Sequence, residues 1–164
     1  MTSKQLFGGI AAALLLQATA SAEIPDQIAT AEAPVAIMHA EGAQVYECKT
    51  GTAGRLEWQF REPIATLLLD GKTVGRHYAG PTWEHVDGSA VTAKAVANAP
   101  GQSAGDIPWL KLEVTGHRGS GTLAGVTTVQ RNTRGGVHTG ACDRAGALYS
   151  APYAADYVFL RKGS

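Results

Sequence analysis

The apolar positions of this chain recur with a period of two rather than 3.6. Leu56, Trp58 and Phe60 alternate with Glu57, Gln59 and Arg61, as a half-buried strand requires. Leu110, Leu112 and Val114 alternate with Lys111 and Glu113 in the same way. Val45–Lys49 reads as another strand, and Ala65–Leu69 is a continuous apolar run suited to a buried one. Asp70-Gly71 stands ahead of Lys72–Tyr78, and Asp87-Gly88 separates Trp83–Val86 from Ser89–Ala97. Asp-Gly accepts the positive φ of a type I′ hairpin turn. Val91, Ala93, Ala95 and Ala97 include good helix formers, but the turn before them and Pro100-Gly101 after them assign them to a strand. Gly116–Gly121 turns the chain. Leu123–Arg131 reads as a Thr- and Val-rich strand ended by Gly135-Gly136, and Tyr157–Arg161 as a short last strand. The pattern predicts an all-β fold: a single antiparallel β-sandwich or barrel domain of about nine or ten short strands.

Ahead of that domain the pattern changes. Lys4 opens a positive start, Leu6–Leu16 is apolar, and Ala20-Ser21-Ala22 offers the small residues a signal peptidase reads. Residues 1–22 are therefore expected to be a cleaved signal peptide. Residues 23–34, with Pro25 and Pro34, read as an extended N-terminal segment, and residues 35–164 as a single β domain. No apolar run is long enough to span a bilayer as a helix, so no stable membrane insertion is expected. The protein is expected in the periplasm or outside the cell, with about 140 residues left to build a core.

Charge and cysteines narrow the partners. Fourteen basic and fourteen acidic residues cancel, and no basic block is present to hold nucleic acid. The two cysteines, Cys48 and Cys142, form an even count in an exported chain, which favours a disulfide over free thiols. They lack the C-x-x-C spacing of a metal site.

The densest chemistry lies in Val74–Gly88, where His77, Tyr78, Trp83, Glu84, His85 and Asp87 surround Gly80-Pro81. The preferred use is binding. Tyr78, Trp83 and Trp109 offer flat faces beside His77 and Glu84, suited to a small molecule, a glycan or an envelope partner. An alternative is a hydrolase or isomerase with His77 and Glu84 as its acid–base pair. Another is a structural envelope protein without a ligand. A metal on His77, Glu84 and His85 is disfavoured because adjacent strand residues point to opposite faces, so neither metal nor cofactor is expected. Asp87 is assigned to its hairpin. Arg76 and Arg131 are expected to partner buried acids, and Tyr153 and Tyr157 to pack the last strand.

Several stretches also carry a family likeness. They are Val45-Tyr46-Glu47-Cys48, Val74 through Glu84, Asp87-Gly88-Ser89, Ile107-Pro108-Trp109-Leu110, Gly125 through Arg131 with Gly135-Gly136, Cys142, and Pro152-Tyr153 with Tyr157-Val158-Phe159. On these the chain resembles the exported bacterial and fungal family called domain of unknown function 3455. The resemblance implies an exported β-rich domain and supports the Cys48–Cys142 pairing. It implies no activity. Some fungal relatives carry a malate dehydrogenase label, but this sequence has no G-x-G-x-x-G after a strand and no βαβ alternation, so the label does not transfer. His39, His85, His117 and His138 are not expected to be shared across the family.

Overall fold

The computed structural model describes residues 23–163, so the signal-peptide expectation falls outside the described residues. Eight antiparallel strands form a closed barrel in simple sequence order. They are β1 (Ala33–Thr50), β2 (Leu56–Leu69), β3 (Lys72–Tyr78), β4 (Thr82–His85), β5 (Ala90–Ala99), β6 (Trp109–Arg118), β7 (Thr128–Gly135) and β8 (Leu148–Arg161). β1 bonds to β2 on one side and to β8 on the other, and the β1–β8 pair closes the barrel. Closure removes the free edges that an open sheet exposes.

The all-β expectation holds, and the barrel is the form it takes. The strand count is lower than the expected nine or ten, because β1 runs eighteen residues and β2 and β8 fourteen each. Pro63 and Pro152 lie inside these long strands. A proline is tolerated where the ladder does not need its missing donor, near bulges above all. Pro63 stands close to the bulge between Val45 and Tyr46 in the β1–β2 ladder. Gly42 in β1 is needed for close approach: a Cβ there would run into the Ile64 carbonyl and Ala65 of β2.

Side chains alternate across the barrel wall. Met38, Leu67, Val91, Val129, Tyr157 and Phe159 fill one continuous interior cluster. Glu41, Lys94, Glu113 and Arg134 are exposed on the outside. Among the described residues no helix is long and apolar enough to cross a membrane.

The two ends of the barrel are closed differently. At one end, the β6–β7 connection inserts Leu123 and Val126, both fully buried. The segment Leu123–Thr127, expected as strand, is therefore a turn-rich plug, and β7 begins only at Thr128. Asp87 ties the plug down. Its carboxylate accepts from the Ser89 backbone N–H and hydroxyl and from the Thr122 backbone N–H and hydroxyl. At the other end, the β7–β8 connection folds back on β2, where Gly140 accepts from the Trp58 N–H and Cys142 donates to Leu56. His138 of that connection stacks on Tyr149 at 3.7 Å. A disulfide joins Cys142 to Cys48 of β1, with Cα atoms 5.9 Å apart across 94 residues of sequence.

The N-terminal segment contains one 3-10 turn, Asp26–Ile28. Ile28 is buried against Ala99 and Trp109 on the outside of the wall, and the Gln130 side-chain amide donates to its carbonyl at 2.6 Å.

Candidate functional site

The β3–β4 hairpin aims two aromatic rings into the barrel. His77 and Trp83 are direct cross-strand partners, and alternation turns both inward. The Gly80-Pro81 turn joins them, with Gly80 at φ 127°, a conformation open to glycine. The rings stack at 4.5 Å and 12°. His77 Nδ1–H donates to the Thr82 carbonyl at 2.9 Å, which leaves the lone pair on Nε2. Burial is the chief cause that lowers the His77 pKa from 6.5 to about 4, so the ring is neutral at neutral pH.

Beneath this hairpin lies a cavity of about 410 Å³. That falls in the roughly 300–1,000 Å³ range of small-molecule sites. An eight-stranded barrel is just wide enough to be filled by side chains or to enclose one small ligand. Phe60 and Pro63 of β2 and Leu110 and Leu112 of β6 form apolar walls facing the His77–Trp83 pair. Ala95 of β5, which is exposed, also lines the cavity.

Three polar side chains break the apolar lining: Gln44, Arg61 and Arg131. Arg61 pairs with Glu62 at 3.1 Å. Arg131 has no carboxylate partner among the described residues; its Nη2 donates to the Pro108 carbonyl at 2.6 Å, and its buried Nε has no partner. Burial is the largest influence on this guanidinium and lowers its pKa, while the Tyr157, Tyr153 and Tyr46 side chains act in the opposite sense. Gln44 Nε2 and Trp83 Nε1 are also buried without a hydrogen-bond partner. The cavity lining thus contains no carboxylate.

The family profile described as Protein of unknown function (DUF3455) matches residues 28–71 and 68–161. The chain belongs to this family. The match runs from the N-terminal turn through β8, so every residue lining the cavity lies within the DUF3455 region. No curated protein and no solved structure matches the chain.

In this DUF3455 barrel the residues singled out in the sequence separate into three places. His77 and Trp83 line the cavity. Tyr78 and Glu84 point to the outer face, where the Tyr78 hydroxyl donates to Glu84 at 2.8 Å. Arg118 and Arg76 approach the same carboxylate at 2.8 and 3.1 Å. These bonds, that from Tyr78 first, lower the Glu84 pKa to about 2 and make it an ionised strut between strands. Trp109 lies outside the wall beneath Ile28, its indole N–H donating to the Thr133 carbonyl at 3.2 Å. The wall therefore stands between His77 and Glu84, and no proton passes directly from one to the other.

Arg131, expected to partner a buried acid, instead lines the cavity of the DUF3455 barrel, with the Pro108 carbonyl as its acceptor and no carboxylate partner among the described residues. Tyr153 and Tyr157 are buried beside it in the last strand. The sequence carried one usable signal, since Arg131 is two residues from Val129 on the same face of β7. Gln44 had no comparable signal. Among the described residues, no group of three His, Cys, Asp or Glu converges to hold a metal.

Proposed function

We propose that this protein is an exported, non-enzymatic binding protein that encloses a small, largely apolar molecule in the barrel lumen. The observation that carries this reading is the cavity of about 410 Å³ with apolar walls and a few inward polar groups. Such a combination holds and orients a small ligand. The leader-like N-terminus supports export, and the disulfide is consistent with an oxidising compartment. A glycan fits the lumen less well, because its many hydroxyls would meet mostly carbon.

The test is a titration with the neutral fluorophore N-phenyl-1-naphthylamine. Saturable, blue-shifted emission is expected from the wild type, and little from Ala95→Trp, which fills the cavity from an exposed position. No binding to the wild type, or undiminished binding to folded Ala95→Trp, would overturn the proposal.

A further inference from the structure

We infer that the molecule held in the lumen is an apolar carboxylic acid, bound as its carboxylate with Arg131 as the charged anchor. This rests on the lumen being a binding site, and adds the chemical class of its occupant.

The charge inventory points one way. The cavity lining contains two arginines and no aspartate or glutamate. Arg61 is already neutralised by Glu62, with Glu47 at 4.0 Å, and its side chain is 46% exposed. Arg131 has no such partner among the described residues. A charge partly withdrawn from water is costly unless paired and hydrogen-bonded. The groups beside Arg131 supply no anion. Tyr46, Tyr153 and Tyr157 are neutral phenols, and burial raises the pKa of each. The Tyr46 hydroxyl donates to the Gly136 carbonyl, and Tyr153 and Tyr157 share a bond at 3.3 Å.

Hydrogen-bond capacity points the same way. The Arg131 guanidinium is donor-only, and its Nη2 group donates to the Pro108 carbonyl at 2.6 Å. A ligand that meets its remaining N–H groups brings acceptors, and a guanidinium edge suits the two oxygens of a carboxylate. A cationic head would face Arg131 directly. A dianionic phosphate would exceed the single unpaired charge. The remaining walls, Phe60, Pro63, Leu110, Leu112 and the His77–Trp83 stack, suit a hydrocarbon or aromatic body.

The experiment compares three probes that share a naphthylmethyl body by calorimetry: naphthalene-1-acetate, its isostere naphthalene-1-acetamide, and 1-naphthylmethylammonium, with N-phenyl-1-naphthylamine as the neutral reference. In the wild type the acetate should bind at least about tenfold tighter than the amide, as a charge-assisted bond requires, and the ammonium more weakly still. In Arg131→Met the preference for acetate over amide should disappear. If the wild type holds acetate and amide equally, or folded Arg131→Met keeps the preference, the carboxylate assignment fails and the lumen reading stands. If neither the probes nor the reference bind the wild type, both fail. The wild-type comparison decides the matter even if Arg131→Met does not fold.

Discussion

His77 and Trp83 face each other across the β3–β4 hairpin, their rings 4.5 Å apart and 12° from parallel. The imidazole in this stack is buried at 2% exposure and fixed through Nδ1 to the Thr82 carbonyl. Its folded pKa of about 4 lies below the unfolded value of 6.5. Protons therefore bind the unfolded chain preferentially between those values. The contribution is fully present above pH 6.5 and is lost as the pH falls towards 4. It amounts to about 3 kcal/mol. His77→Asn retains a donor for Thr82 but cannot titrate. Urea unfolding should show the wild type losing more stability than the variant between pH 7 and pH 4. Parallel losses would mean that His77 is not held neutral.

Glu84 belongs to the outer face and should not matter to the lumen. Glu84→Gln removes the carboxylate shared by Tyr78, Arg76 and Arg118. Naphthylamine affinity is expected to stay within about twofold, as for sites with no shared partner. A large loss would move the binding surface back to the outer face of the hairpin.

The disulfide closes a loop of 94 residues. Chain entropy assigns such a closure roughly 4–5 kcal/mol. The Cys48→Ser, Cys142→Ser double variant should lose stability on that scale in equilibrium denaturation. Hydrogen exchange should quicken first at the amides of Trp58 and position 142, which bind across this end of the barrel in the wild type. Unchanged stability would remove the cross-link from the forces holding the fold.

Gly42 is a test of the barrel wall itself. Gly42→Ala places a methyl group against the Ile64 carbonyl, backbone that has little room to move. A loss of about 1–3 kcal/mol is expected, the usual range for overpacking. Thermal unfolding of the variant alongside the wild type measures it, and equal melting temperatures would refute the close approach.

Much of this architecture was legible in the sequence, and the illegible parts have physical causes. Asp70 and Gly71 both adopt positive φ, 49° and 74°, as the Asp-Gly hairpin demands. Asp87-Gly88 also turns the chain, but there Asp87 spends its carboxylate on Ser89 and Thr122 rather than on turn geometry alone. The joining of β1 to β8 was not legible, because a barrel and a sandwich share the same alternation and differ in a pairing distant in sequence. The candidate site was half legible. His77, Tyr78, Trp83 and Glu84 are close in sequence, yet period two sends His77 and Trp83 inward and Tyr78 and Glu84 outward. The rule that separated Glu84 from His85 also separates His77 from Tyr78. Trp109 looked like a wall of the site because an exposed face cannot be told in sequence from one covered by another segment, here Ile28.

The pairing of Ala33 with Arg161 sets the order in which this chain can fold. Neighbouring hairpins can form as each strand emerges, but the seam has no partner until β8 is available. Until then β1 and β7 each expose an unpaired edge, and the lumen has no wall between them. Closure spanning nearly the whole domain is a long-range event of the kind that slows β proteins. A chain delivered end-first across a membrane would therefore acquire its interior last and all at once.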